Sequence, residues 1–146
     1  RDPNLVTLCY INMAKMYLQN GDLIAARSLL KAAQDLLDSV KSPQMQVDFE
    51  IVQADSCRRC GDLEKAERTL DKALTLAREH SLIQHEAEIL YYAGLTAFDR
   101  GSLDLARTRL EASIVLFKKS GGGGLKKAVE RLKAIENAAN YNNNRD

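Results

Sequence analysis

The chain has 146 residues, 45% hydrophobic and 28% charged, which is the composition of an ordinary folded domain and excludes disordered, collagenous and disulfide-scaffold classes. Twenty-one basic against twenty acidic side chains leave a net charge of +1, far below the excess that neutralises a phosphate backbone, so no nucleic acid is expected as a partner. Two prolines and eight glycines, four of them together at Gly121 to Gly124, are too few for an all-β fold that turns every ~8–12 residues.

Taken in chain order, Asp2-Pro3 reads as an N-cap followed by proline at the first helical position, and predicts a helix over 3–19 that ends at Gly21. Asp22 opens a second helix over 22–39. Ser42-Pro43 repeats the first signal and starts a helix over 43–59, which Gly61 ends and Asp62 follows with a helix over 62–79. Ser81-Leu82-Ile83-Gln84 has the spacing of a capping box and starts a helix over 82–99. Gly101-Ser102 then separates it from a helix over 102–119. Beyond the four glycines, Leu125, Ala128, Val129, Leu132 and Ile135 keep the 3–4 spacing of an amphipathic helix over 125–140, leaving 141–146 as a disordered tail.

The signals recur every 40 residues. Gly21, Gly61 and Gly101 are each followed by Leu-x-x-Ala-x-x-x-Leu, as Leu23, Ala26, Leu30, then Leu63, Ala66, Leu70, then Leu103, Ala106, Leu110. Ala33, Ala73 and Ser113 follow, then Leu36, Leu76 and Leu116, all on one side of the second helix of each unit. The first helices carry a small residue in the same register, at Ala14, Ala54 and Gly94. Two helix axes approach to about 8 Å only where the crossing point carries almost no side chain, so each unit is predicted to be an α-hairpin.

This pattern resembles the tetratricopeptide repeat family, in a 40-residue variant, over residues 4 to 119. The small residue, turn glycine and first alanine match in all three units, with Ser113 at the second alanine position of the third, while the early aromatic and later tyrosine are met only by Tyr10 and Tyr17. The resemblance implies an all-α, right-handed α-solenoid of three hairpins (about 3–40, 43–80 and 82–120) with a C-terminal helix. It also implies a non-catalytic scaffold or adaptor within a larger assembly, which binds a peptide or helix of another protein on the concave face lined by the first helices. By position, the partner-binding residues are Leu8, Ile11, Lys15 and Leu18, then Asp48, Ile51, Asp55 and Arg58, then Glu88, Tyr91, Leu95 and Phe98. Ile11, Ile51 and Leu95 are equally suited to packing against a neighbouring helix. The alternative reading is a regulatory domain that senses a small peptide or small molecule.

Members that capture an acidic chaperone C-terminus use a clamp of lysine, asparagine and arginine. The matching positions hold Ile11, Lys15, Val52, Glu88 and Tyr92, so that specificity is not expected. The segment 125–140 has two readings. Ala134 lies 40 residues after Gly94, which suits a capping helix; the glycines at 121–124, with no evident packing reason, suit a linker tethering a partner helix.

Cys57-Arg58-Arg59-Cys60 has the spacing of half a zinc site, but no second pair follows, and His80 and His85 complete no metal or catalytic motif. No cofactor, metal or catalytic site is therefore expected. Three cysteines, no Asn-x-Ser/Thr sequon, no apolar run of ~18 residues and no basic signal head at Arg1-Asp2-Pro3-Asn4 fit an intracellular chain, cytoplasmic or nuclear, without a membrane partner.

Overall fold

Seven helices make up the protein in a computed structural model that describes residues 2–145: α1 (Pro3–Gln19), α2 (Leu23–Leu37), α3 (Pro43–Arg59), α4 (Leu63–Glu79), α5 (Ile83–Asp99), α6 (Leu103–Ser120) and α7 (Leu125–Asn143). No strand occurs among the described residues. The helices form two compact units, divided after Ser81.

The hairpin turns come from one device used three times. Gly21, Gly61 and Gly101 have φ of 81°, 87° and 85°, which a side chain would oppose. With the chain turned there, the glycine N–H donates back to Leu18, Arg58 or Phe98, and the next N–H, of Asp22, Asp62 or Ser102, to Tyr17, Cys57 or Ala97. These bonds occupy carbonyls that a helix end otherwise leaves unpaired. Asp22 and Asp62 then cap the following helices through Ala25 N–H and Lys65 N–H, at 3.1 and 3.2 Å. Ser102 occupies the same place but makes no side-chain cap.

Ser81 departs from the expected capping box. The residue at the N-cap is Leu82, without a side-chain bond, and Ser81 sits one position earlier at φ 54°, finishing α4 where the chain turns left-handed. α2 also stops at Leu37, two residues short of the expected end, because the N–H groups of Ser39 and Val40 bond three residues back and tighten its last turn.

In the first unit, Ile11, Ala14 and Leu18 of α1 meet Ala26, Leu30, Ala33 and Leu37 of α2, with Phe49 and Val52 of α3 added to the same core. In the second unit, Ala87, Tyr91, Leu95 and Ala97 of α5 meet Ala106, Leu110 and Phe117 of α6, and Ala128 and Ile135 of α7. Leu30, Leu70 and Leu110 are almost wholly buried in their hairpins, each worth about 1.5–3 kcal/mol relative to exposure. The last turn of each second helix buries Leu37, Ala77 and Phe117 more deeply than the expected Leu36, Leu76 and Leu116.

The glycine run has a packing reason at two of its positions. Gly121 ends α6 at φ 68° and donates to the Phe117 carbonyl. Gly124 is the N-cap of α7, and a Cβ there would overlap the Phe117 ring. α7 then packs along α6 and continues to Asn143, so the segment expected as a disordered tail begins as helix; Asp146 lies outside the described residues.

Candidate functional site

In the first unit the sequence-predicted positions divide by depth. Leu8 and Lys15 face solvent and Asp48 is half-buried, whereas Ile11 and Leu18 are core residues and Ile51 is also buried. Asp55 is buried and held from two sides: Arg58 Nη2 lies 2.9 Å from Oδ1, and Arg59 Nε 3.1 Å from Oδ2. Arg59 Nη1 also donates to the Leu18 carbonyl at 2.9 Å, so this carboxylate organises a tie from α3 to the end of α1. Glu50, buried one turn earlier, is paired with Lys72 at 3.1 Å and accepts from Gln46 Nε2 at 2.9 Å. These charges lie within or beside the hairpins and are met by partners, as burial requires.

In the second unit, Tyr91 and Leu95 belong to the core, Phe98 packs against it, and Glu88 is half-buried. Tyr91 and Tyr92 meet edge to face at 5.1 Å, and Lys127 Nζ lies 4.7 Å over the first ring and 5.6 Å from the centre of the second. Here α5 and α7 border a shallow cleft of about 250 Å³ lined by Tyr91, Lys127, Glu130, Arg131 and Ala134. An ammonium held at an aromatic face, with Arg131 and Glu130 beside it, can orient a charged chain segment and cover its apolar part. The sequence reading selected Tyr91 here but none of the α7 residues. A signal for them existed: Arg131 lies 40 residues after Tyr91, just as Ala134 follows Gly94.

A second, larger cleft of about 470 Å³ lies in the first unit between α2, α3 and the start of α4, and includes Arg27, Lys31, Cys57, Cys60, Asp62 and Lys65. Cys57 is buried and Cys60 exposed, both free thiols. Burial pushes the Cys57 thiol above its ordinary value of 9.0, with Asp62 adding to the rise and Lys65 and Arg27 opposing it. Among the described residues no group of three or more His, Cys, Asp and Glu side chains could hold a metal ion, and no helix is long and apolar enough to cross a membrane.

Comparison with known proteins bears on this architecture. Residues 49–72, from the middle of α3 into α4, match the family model of the tetratricopeptide repeat. Five chains of solved structures match the fold, among them the apo form of RapI, at a TM-score of 0.60 and 16% identity over 93% of this chain. The chain spans 65% of the length of that RapI chain, and at this identity the likeness is one of fold. No curated protein matches.

Proposed function

The chain is a tetratricopeptide-repeat protein, and from that premise we propose that it is a non-catalytic interaction scaffold whose first-helix faces hold a segment of another protein. The observation that carries the proposal is the aromatic and cationic surface of Tyr91, Tyr92, Lys127 and Arg131. The half-buried Tyr92 ring offers apolar area at low entropic cost, Tyr91 backs it from the core, and the α7 cations attract a carboxylate on the partner. In the first unit the exposed Leu8 and Lys15 and the half-buried Asp48 supply a second place of contact. At about 250 Å³ the α5/α7 cleft falls below the ~300–1,000 Å³ that encloses a small molecule, so at this surface a protein segment is the better fit.

The proposal is tested by selecting binders from a random peptide library on the full chain and measuring their affinities by fluorescence anisotropy. Reversing Lys127 and Arg131 to glutamate is expected to weaken the selected peptides by about tenfold or more. Glu111→Lys, on the exposed side of α6, is expected to leave them unchanged. Equal affinity for all three proteins would refute the assignment. Tyr91→Ala is a poorer probe, since that ring is only 7% exposed and its loss also weakens the core.

A further inference from the structure

The cleft between α2, α3 and α4 shares no lining residue with the surfaces that the scaffold reading uses. Its lining joins two thiols to three cations, Arg27, Lys31 and Lys65, against the single carboxylate of Asp62. We propose that this cleft is a thiol modification site, in which Cys60 exchanges with an anionic low-molecular-weight disulfide of the glutathione class and Cys57 resolves the adduct.

Three features of the site point to this chemistry. The cleft volume of about 470 Å³ is that of a small-ligand site, large enough for a tripeptide-sized group, and its excess of cations favours an anionic one. Cys60 is exposed at its mouth, while Cys57, three residues earlier and 8% exposed, lines the same cleft. Cys60 keeps near-helical backbone angles of −80° and −4°, so helix geometry sets the two Cα atoms about 5 Å apart. That lies within the roughly 4.4–6.8 Å a disulfide spans.

The exchange runs in two steps. The Cys60 thiolate attacks one sulfur of the small disulfide; a Cys60 mixed disulfide forms, the small S–S bond breaks, and one small thiolate leaves and takes up a proton. Cys57 then loses its proton and attacks the Cys60 sulfur, forming the Cys57–Cys60 bond and releasing the second small thiolate. The chain gives up two electrons and two protons, and the small disulfide receives them as two thiols. Because burial favours the thiol form of Cys57, the second step quickens as pH rises.

The reduced full-length chain is treated with glutathione disulfide and followed by mass spectrometry with peptide mapping. Cys9, an exposed thiol on α1 that is not part of the cleft, is the internal reference. The expected result is an adduct on Cys60 that forms about tenfold faster than on Cys9, then converts to the internal disulfide. Cys57→Ser should retain the adduct without conversion. Lys31→Glu with Lys65→Glu should slow the reaction of glutathione disulfide about tenfold more than that of the neutral bis(2-hydroxyethyl) disulfide. Equal rates at Cys60 and Cys9, or equal slowing of both disulfides in a variant with unchanged circular dichroism, would overturn the proposal.

Discussion

Alanine placed in turn at Gly121, Gly122, Gly123 and Gly124 separates a flexible tether from a built junction. In a tether, each substitution would only reduce the freedom of the unfolded chain and add about 0.4–1 kcal/mol of stability. The structure gives the four positions different signs. At Gly121, φ of 68° costs a side chain about 1–2 kcal/mol, and the entropy gain offsets part of it, for a net loss of about 1 kcal/mol. At Gly122 the new Cβ meets only the movable end of Gln84, 3.2 Å from Nε2, and the change is near zero. Gly123 has open space and no positive φ, so alanine there stabilises. At Gly124 the Cβ enters the ring of Phe117, a core side chain only 1% exposed, and overpacking costs about 1–3 kcal/mol. Urea unfolding followed by circular dichroism ranks the variants, and amide exchange in α7 locates the effect. Four equal or uniformly stabilising substitutions would refute the junction.

Three other perturbations test separate parts of the fold. Ser81→Gly relieves the left-handed strain at φ 54° and should raise stability by up to about 1 kcal/mol in urea melts, whereas Ser81→Val should lower it. Arg59→Met removes the bond to the Leu18 carbonyl and one of the two guanidinium partners of Asp55; a loss of about 1.5–3 kcal/mol is expected, and a change under 0.5 kcal/mol would show that the tie is idle. The folded Cys57 thiol holds its proton above the ordinary pH of 9.0, so its contribution is complete below that pH and is lost as pH rises toward the raised folded value. Under reducing conditions the urea midpoint of the wild type should therefore fall more steeply as pH rises through 9.0 than that of Cys57→Ala; parallel slopes would contradict the burial effect.

The helical hairpins were legible because their determinants are local. A glycine at left-handed φ, an aspartate three residues before the N–H it caps and an alanine at a crossing each act within a few residues, and repetition every 40 residues makes them visible together. What escaped the sequence was tertiary. Spacing allowed either Leu116 or Phe117 to face inward, and only the path of α7 shows that the larger ring is taken in, with Gly124 kept bare above it. Asp55 likewise read as a groove anion, because neither Arg58 nor Arg59 declares from sequence that it turns back onto that carboxylate.

The surface around Lys127 shows how far register can go where propensity cannot. An amphipathic basic helix after four glycines has the composition of a separate ligand, and its own pattern does not say which face meets what. Counting in forties gives Arg131 the repeat position of Tyr91, Ile51 and Ile11, and Ala134 that of Gly94, Ala54 and Ala14. A helix in that register presents the side on which the earlier first helices carry the residues chosen for binding. The cation set over Tyr91 and Tyr92 follows from this: Lys127, one turn before Arg131, reaches the rings of α5 from the same side of α7. The charge that sets the start of α7 apart in composition, Lys126, Lys127, Arg131 and Lys133 against Glu130, thus borders a first-helix face of the second unit, whose sequence-selected residues Glu88, Tyr91, Leu95 and Phe98 include no cation. A partner chosen by that face must answer a positive rim, which the α5 sequence by itself would not have required.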